Sequence, residues 1–461
     1  MTTSIKLTGR DHAAGDRPVV LTSGNLTPES PVTPATTLAD QFLAASPKLD
    51  PKHPEYVVKV VDQLLSFTQA AGASDLHFTP AEDALEVDCR IDGVLVSLAR
   101  FPRAIAPNIV ARLKVLAELL TYKTDVPQEG RLQPSAAAMS GSAVSDNPTW
   151  EMRVSTFPTL FGEKAVIRIF AGSSHYQLLS ELGLADVIEH DLRQALQETA
   201  GALLITGPAG SGKTTTAYAC VREIQRQHLR GKSLVTLEDP IETVLPGVAQ
   251  SQVKRNAGFD YDVGLRSLMR QDPDVILVGE IRDRQTAETV FQACLTGHLV
   301  ISTFHAGSAC EAINRLNDMG IEPYLLRAGL RSLVSQRLVR QLCSCAVWSR
   351  DPADLYGFDL PQARVPIGCE RCSGTGYQRR LLIAEILNPH QKQIGQAILS
   401  RFDADDLQET AVRAGFQTLG QHATALIAAG QSSPAEIRRV LGFRGRLNGS
   451  TEASLDRERT R

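Results

Sequence analysis

A glycine-rich stretch that ends in a lysine and two threonines has the most specific chemistry in this sequence. It follows the pattern G-x-x-x-x-G-K-T and comprises Gly207, Pro208, Ala209, Gly210, Ser211, Gly212, Lys213, Thr214 and Thr215. Its glycines let successive backbone N–H groups point at one spot, and a helix that starts there adds its positive end. Lys213 is predicted to reach the β- and γ-phosphates, and the Thr214 hydroxyl to hold the Mg²⁺ that bridges them. We call residues 207–215 the phosphate loop, and we expect it to bind a nucleoside triphosphate.

Carboxylates follow two apolar stretches farther along the chain. Glu280 comes after the predicted strand Val275–Val278 and is expected to act on the metal, directly or through water. Residues 238–242 carry three acids near a proline. Hydrolysis needs a base or acceptor that orients the attacking water, and we predict Glu242 for this role, with Glu238 as the alternative. Acids near a proline turn are also often merely solvated.

Two histidines flank the next predicted strand, Leu299–Ser302: His298 precedes it and His305 follows it. A lone histidine is usually structural, but a pair beside a phosphate site can sense the γ-phosphate and couple its loss to movement. Ligands collect at the carboxyl ends of parallel strands, so His305 is the one expected near the phosphates.

Four cysteines form two close pairs, which are Cys343 with Cys345 and Cys369 with Cys372. Two pairs of thiolates separated by a loop are typical of structural zinc. The first pair has one intervening residue, which makes it hard for both sulfurs to reach one tetrahedral ion, so free or partly liganded cysteines are the alternative. The other four cysteines lie in or beside apolar patterns and are predicted to pack in the core.

The second half of the chain alternates predicted strands and helices. Strands are predicted at 202–206, 234–237, 275–278 and 299–302. Helices are predicted near 264–271, 284–296 and 309–318, each after one of the last three strands. This order predicts an α/β domain, residues 190–445, with a mostly parallel sheet covered on both faces. A long helical stretch is expected from Pro323 to the first cysteines, and further helices from Glu385 to about Leu441.

A small α+β domain is predicted before it, at residues 55–171. Its predicted helices are Tyr56–Gly72 and Ile105–Leu120. Its predicted strands are 75–78, 85–91, 94–96, 151–155 and 165–169, with a turn at 127–131 and a flexible loop at 134–148. Residues 1–54 and 446–461 are expected to be disordered tails, and 172–189 a linker. The alternative for the first tail is a short partner-binding helix near Leu38–Ala45.

Composition places the chain among globular proteins and does not identify a partner. It has 461 residues, a 43% hydrophobic fraction and a formal net charge of -3. That charge gives no general attraction to nucleic acid or anionic lipid, and we expect no nucleic-acid partner. We see neither an apolar stretch of the roughly 18 to 20 residues that spans a bilayer nor a signal-peptide core, so a cytoplasmic location is expected.

The motifs, in this order, resemble those of the bacterial secretion ATPases that power type II secretion and type IV pilus assembly. The matching stretches are Ser74–His77, Arg90–Gly93, Pro127–Arg131, Arg153–Thr156, the phosphate loop, Glu238–Glu242, Gly279–Asp283 and Thr296–His305. The resemblance implies a RecA-like P-loop domain preceded by a small PAS-like domain, with ATP bound between them.

The resemblance also implies roles for particular residues. Glu242 lies in the aspartate box, Glu280 in the Walker B motif, and His298 and His305 in the histidine box. Three arginines are expected to reach the nucleotide phosphates: Arg131, Arg153 and Arg168. The cysteine pairs resemble the secretion and pilus-assembly branches, in which zinc is expected.

The family further implies a homohexamer at the cytoplasmic face of the inner membrane, with platform and cytoplasmic linker proteins as partners. The leading expectation is an ATPase that drives pseudopilus assembly in type II secretion. The alternatives are a type IV pilus extension ATPase, a weakly hydrolysing scaffold of the same complex and, ranked lowest, a DNA-transport motor. Thr124–Val126 stand where the family has basic residues, and an amino-terminal docking domain is expected to be missing or replaced by a tail.

Overall fold

The structure is a computed structural model that describes residues 37–45, 53–132, 151–170, 176–228 and 231–442. Its strands are β1 (Asp75–Pro80), β2 (Ala84–Ile91), β3 (Val94–Pro102), β4 (Gln128–Leu132), β5 (Glu151–Thr159), β6 (Gly162–Phe170), β7 (Gly201–Thr206), β8 (Leu234–Glu238), β9 (Ala249–Gln252), β10 (Val275–Val278), β11 (Leu299–Phe304), β12 (Leu330–Leu342), β13 (Val347–Ser349), β14 (Ala363–Val365) and β15 (Tyr377–Leu387).

Its helices are α1 (Leu38–Ala45), α2 (Tyr56–Ala70), α3 (Ala106–Leu116), α4 (Asp186–Ala195), α5 (Lys213–His228), α6 (Tyr261–Leu268), α7 (Arg284–Leu295), α8 (Ala309–Asp318), α9 (Pro323–Gly329), α10 (Pro352–Leu355), α11 (Lys392–Leu399), α12 (Ala404–Arg413), α13 (Leu419–Ala428) and α14 (Pro434–Leu441). The described chain forms two compact units. The first contains α1–α3, β1–β6 and the short segment 368–375, and the second contains α4–α14 and β7–β15. The predicted loop 134–148, the C-terminal tail 446–461 and residues 1–36 lie outside the described residues.

The first unit is a six-stranded sheet in the order β3-β2-β1-β6-β5-β4, and all its neighbours are antiparallel. Alternate residues, among them Leu76, Val154 and Ile167, are buried with residues of α2 and α3 in one core. The period-2 alternation of these strands therefore corresponds to one packed face and one polar face. This is the small α+β unit that the sequence predicts.

Two predictions for the first unit were wrong. The predicted tail includes α1, whose Leu38 and Phe42 are each 5% exposed and join the core of this unit. The Phe42 ring packs edge-on against Phe67, with centroids 5.2 Å apart. A helix here was the sequence-based alternative. The predicted turn at 127–131 contains β4, because Gln128–Leu132 pairs with β5 at the edge of the sheet.

The second unit is a seven-stranded sheet in the order β15-β12-β7-β11-β10-β8-β9. All neighbouring pairs are parallel except β12 with β15. Successive residues of a strand enter different cores: Leu204 packs with α7 and α8, and Leu203 packs with α4 and α5. Both faces are therefore covered, as the alternation of elements predicts.

The predicted long helix after Pro323 was also wrong. Only α9 is helical there, and Leu330–Leu342 forms β12 between β7 and β15. The strand is buried on both faces, with Leu333 in one core and Val334 in the other. Its Leu, Arg and Gln residues favour a helix, and a strand buried on both sides shows no alternation that would reveal it.

The segment before β7 differs from the prediction in its boundaries. Within the predicted linker 172–189, Leu179 packs in a buried core and α4 begins at Asp186, before the predicted start of the α/β domain at residue 190. No helix in the part of the chain that the structure describes is long and apolar enough to cross a membrane.

Candidate functional site

The phosphate loop connects β7, which is buried along its whole length, to α5. Gly207, Gly210 and Gly212 have φ angles of +151°, +74° and +86°, a region that L side chains rarely adopt. A Cβ on Gly207 would lie 2.5 Å from Oγ of Ser211 and 2.6 Å from the carbonyl oxygen of Gln336. Only glycine fits there, so the turn depends on these positions.

Lys213 folds back over this turn. Its Nζ donates to the carbonyl oxygens of Gly207 and Pro208, each at 3.0 Å. Burial lowers the pKa of Lys213, and the carboxylates of Glu280 and Glu242 oppose that shift. The ammonium group therefore lies within the turn of the phosphate loop, at the N-terminus of α5, which is a favourable place for an anion.

β12 contacts the phosphate loop, and the sequence analysis did not predict this contact. Nε2 of Gln336 donates to the carbonyl of Ser211 at 2.8 Å, and Gln336 is completely buried. The next residue, Arg337, donates to the carbonyls of Gln336 and Gly307. Burial lowers the pKa of Arg337. A strand prediction for this segment would have been needed to find these two residues.

The side chain of Glu242 contacts the first turn of α5. The Thr214 hydroxyl donates to Oε1 of Glu242 over 3.5 Å. Glu242 is exposed and lies in the connection between β8 and β9, residues 239–248, which we call the Glu242 loop. Its carboxylate is therefore accessible to solvent beside the hydroxyl expected to hold Mg²⁺.

Glu238, the alternative to Glu242, is in a different environment. It is 4% exposed, and its carboxylate accepts hydrogen bonds from three side chains. Tyr218 contacts Oε2, while Thr236 and Gln250 contact Oε1 at 2.6 and 3.1 Å. A carboxylate with these three donors is a buried anchor, because little capacity is left for a water molecule.

Glu280 follows β10, and its carboxylate contacts a guanidinium group and an imidazole ring. Nε of Arg282 lies 2.7 Å from its Oε2, and Nε2 of His305 lies 2.8 Å from its Oε1. The residue that precedes it is a glycine, Gly279. A Cβ on Gly279 would lie 2.9 Å from Oη of Tyr261 and 3.4 Å from the carbonyl oxygen of Leu237 on β8. The close approach of these groups leaves no room for a side chain.

The two predicted histidines lie at opposite ends of β11. Phe304 pairs with Thr206 just before the phosphate loop, so His305 lies at the phosphate end. His298 precedes Leu299, which pairs with Gly201 at the start of β7, and its Nδ1 contacts the carbonyl of Ala293 at 3.0 Å. The six residues of β11 span roughly 20 Å. The structure therefore brings His305, and not His298, to the candidate site of this unit.

The three predicted arginines form a row in the first unit. Arg131 on β4 is directly opposite Arg153 on β5, which is opposite Arg168 on β6. Arg168 is opposite Asp75, and its Nε lies 3.2 Å from Oδ1 of that carboxylate. Cross-strand partners share a face, so three guanidinium groups are neighbours on the polar side of the sheet. The register of β4, β5 and β6 therefore places the three predicted arginines side by side on one face.

The four paired cysteines come together in the structure. Their sulfur atoms all lie within 4.8 Å of one another. Sγ of Cys369 lies 3.7 Å from Sγ of Cys372. Sulfurs on one tetrahedral zinc ion are about 3.8 Å apart, given Zn–S bonds of about 2.3 Å. The single residue between Cys343 and Cys345 does not prevent the four from grouping.

The sequence matches known proteins over most of its length. Residues 50–439 match the family described as Type II/IV secretion system protein. The type IV pilus assembly ATPase TfpB of Acinetobacter baylyi is 36% identical over 397 residues, which are 84% of this chain and 66% of that protein. The putative type II secretion system protein E of Escherichia coli is 35% identical over 413 residues, 88% of this chain and 80% of that protein.

The type IV pilus assembly ATPase PilB of Thermus thermophilus is 37% identical over 370 residues, 78% of this chain. The chain spans 40% of that relative and just under two thirds of the Acinetobacter protein.

Solved structures resemble this one more in fold than in sequence. The ATPase DotB of Legionella pneumophila aligns with a TM-score of 0.61 and 20% identity, covering 86% of this chain and 98% of that one. The pilus retraction motor PilT aligns with a TM-score of 0.54 and 23% identity, covering 82% and 96%. These likenesses confirm the predicted fold class.

Proposed function

The chain belongs to the Type II/IV secretion system protein family, as its motifs predict, and we propose that it is an ATP-hydrolysing motor of a type II secretion machine. One observation carries the proposal. Lys213, Thr214, Glu242 and Glu280 lie together at the carboxyl edge of the parallel sheet. That edge is where α/β proteins bind their ligands.

The residues of the second unit divide into binding and hydrolytic roles. The phosphate loop and Lys213 would hold the β- and γ-phosphates, and Thr214 with Glu280 would hold Mg²⁺, because hydroxyl and carboxylate oxygens suit that ion. The bound ion neutralises charge that develops on the phosphates. Glu242 is the acceptor that would orient the attacking water, since it is exposed where Glu238 is buried and saturated.

Arg131, Arg153 and Arg168 would act on the phosphates as the transferring group gains charge. An arginine in that role raises turnover by roughly a thousandfold or more in related phosphoryl transfers. The adjacency of three guanidinium groups on one sheet face supports an anionic ligand.

Purified protein tests the proposal through Mg²⁺-dependent release of phosphate from ATP. The expected result is turnover that disappears in Lys213→Ala, because that variant loses the ammonium group in the phosphate loop. Wild-type turnover no higher than that of Lys213→Ala, even when the membrane partner of the protein is present, would instead support a nucleotide-binding scaffold.

The type IV pilus machine is the second candidate, because two of the similar proteins carry that name. A deletion strain separates the candidates: loss of secreted proteins with intact pili supports the secretion motor, and loss of pili with intact secretion overturns it.

In either machine the protein would act as a homohexamer, bound peripherally to the inner membrane through platform and linker proteins, with no nucleic acid as partner. Sedimentation with Mg²⁺ and a non-hydrolysable nucleotide should yield a species about six times the mass of the chain.

We assign one structural Zn²⁺ to Cys343, Cys345, Cys369 and Cys372, supported by the grouping of their sulfur atoms. Metal analysis should find about one zinc per chain, and Cys369→Ser should lose it. Less than about half a zinc in the purified wild-type chain would contradict the assignment.

A further inference from the structure

The Glu242 loop is held from two sides by two side chains, Tyr218 and Gln250, that both bond to Glu238. From α5, the Tyr218 hydroxyl donates to Oε2 of Glu238 and accepts from the backbone N–H of Glu242, with N and Oη 3.2 Å apart. From β9, Nε2 of Gln250 donates to Oε1 of Glu238 at 3.1 Å and to the carbonyl of Thr243 at 3.0 Å. One carboxylate therefore links both supports of the loop.

Tyr218 connects the Glu242 loop to the phosphate loop, because Tyr218 and Thr214 both lie on α5. It follows Thr214 by four residues on the same helix and is 2% exposed. Burial, followed by the hydrogen bond to Glu238, raises the pKa of Tyr218, so the phenol keeps the proton that it donates. One rigid helix thus places both the Thr214 hydroxyl and the backbone of Glu242.

The contact between Thr214 and Glu242 depends on that placement. Their side chains meet over 3.5 Å, which is a weak hydrogen bond, so it does not fix the exposed carboxylate by itself. The backbone of Glu242 is instead fixed from the buried side by the Tyr218 hydroxyl. A misplacement of about 1 Å in a catalytic group can cost about a hundredfold in rate.

We propose that Tyr218 is a positioning residue for hydrolysis, whose hydroxyl sets the backbone of Glu242 and thereby the distance of its carboxylate from Thr214. The proposal rests on the proposed function, since it assigns a role within the same reaction. Tyr218 acts through Glu242 and has no contact with the nucleotide in this role.

Tyr218→Phe tests the proposal because it keeps the ring and removes both hydrogen bonds. We expect kcat to fall by about tenfold or more, while the KM for ATP changes by less than about twofold. The matched control is Tyr377→Phe, which removes another buried hydroxyl, bonded to Ser433 at 2.6 Å, and should keep the wild-type kcat. An unchanged kcat in Tyr218→Phe overturns the proposal.

A double-mutant cycle separates positioning from a general structural effect. In a Glu242→Gln background, Tyr218→Phe should cause little further loss of kcat, because the group it positions is already removed. Losses that multiply independently overturn the proposal. Should Tyr218→Phe fail to fold, Gln250→Ala loosens the same loop from β9 and should show the same dependence on Glu242. A wild-type kcat in Gln250→Ala would also contradict the account.

The same assays distinguish this proposal from the proposed function. Wild-type turnover no higher than that of Lys213→Ala would remove the function itself. Wild-type turnover that is retained in full by Tyr218→Phe would remove only the positioning role.

Discussion

Burial assigns different roles to the two acids that the sequence left as alternatives. Glu238 is the last residue of β8, and Glu242 lies four positions later in the loop that follows it. Glu238 points into the core and accepts three hydrogen bonds, whereas Glu242 is exposed beside Thr214. No local sequence signal separates them, because the donors to Glu238 come from α5, β8 and β9. The motif predicts that an acid lies here, and tertiary packing determines which one is available.

Glu280 is proposed to hold Mg²⁺, and a single substitution tests that role. Glu280→Gln removes the charge that Arg282 and His305 contact and that would hold Mg²⁺. The Mg²⁺ concentration for half-maximal turnover should rise by about tenfold or more, because a neutral amide is a weaker ligand for that ion. Titration of Mg²⁺ at fixed ATP measures this shift.

Glu288→Gln is the matched control for that titration. Glu288 is a surface carboxylate on α7, 41% exposed and paired with Arg284. Its removal should leave the Mg²⁺ dependence unchanged. A Glu280→Gln variant with the wild-type Mg²⁺ dependence would exclude Glu280 from the metal site.

Among the elements, β12 has the most consequence for the site and was predicted wrongly. Gln336 donates to the phosphate loop and Arg337 donates to the carbonyl of Gly307, yet their strand was predicted to be helical. The central strands β7, β8, β10 and β11 were predicted because short apolar runs alternate with predicted helices. β12 lacks that signal, because its many Leu, Arg and Gln residues favour a helix and only its place between two strands makes it extended.

The same contrast holds for α1 and the arginine row. The helix near Leu38 was an alternative to a tail because its apolar residues are few, and only packing against the core of the first unit favours it. Arg131, Arg153 and Arg168 were named from a resemblance. Their adjacency follows from strand register, which the sequence of separate strands does not specify.

α14 is attached to β12 by a buried ion pair that should make stability depend on pH. Glu436 is 1% exposed, and its Oε2 accepts from Nη2 of Arg340 at 2.7 Å. Burial alone would raise the pKa of Glu436, but hydrogen bonds from Arg439 and Arg340 outweigh it and lower the pKa. A lowered folded-state pKa stabilises the protein above the unfolded value, about 4.3, and this stabilisation is lost as pH falls through the folded-state pKa.

Glu436→Gln should therefore lower the free energy of unfolding by about 2 kcal/mol at pH 7, as expected for hydrogen bonds to a charged group. The difference from wild type should shrink below about pH 4, where the wild-type carboxylate also becomes neutral. Urea unfolding at several pH values measures it. Glu409→Gln, on the surface of α12, should have little effect. A difference that stays constant down to pH 3 would contradict the ion-pair explanation.

The proposed function gives the arginine row of the first unit a role in phosphoryl transfer. Arg153→Ala tests this because Arg153 is the middle member of the arginine row. Turnover should fall much more than the affinity for ATP, since the guanidinium would act on charge that develops during phosphoryl transfer. Steady-state kinetics and nucleotide binding, measured side by side, give the two effects.

Arg100→Ala is the control from the same unit. Arg100 lies on β3, at the opposite edge of the sheet from β4, and forms a surface ion pair with Asp83. It should leave both quantities near the wild-type values. Equal losses of turnover and affinity in Arg153→Ala would mean that the arginine only holds the substrate.

The most direct test of the central claim compares nucleotide binding with turnover in Glu242→Gln. This variant should bind Mg²⁺-ATP about as tightly as wild type, because the phosphate loop is intact. Its turnover should fall by about a hundredfold or more, because the water loses its acceptor. Wild-type turnover in Glu242→Gln would contradict the account, since the exposed carboxylate beside Thr214 would then have no part in hydrolysis.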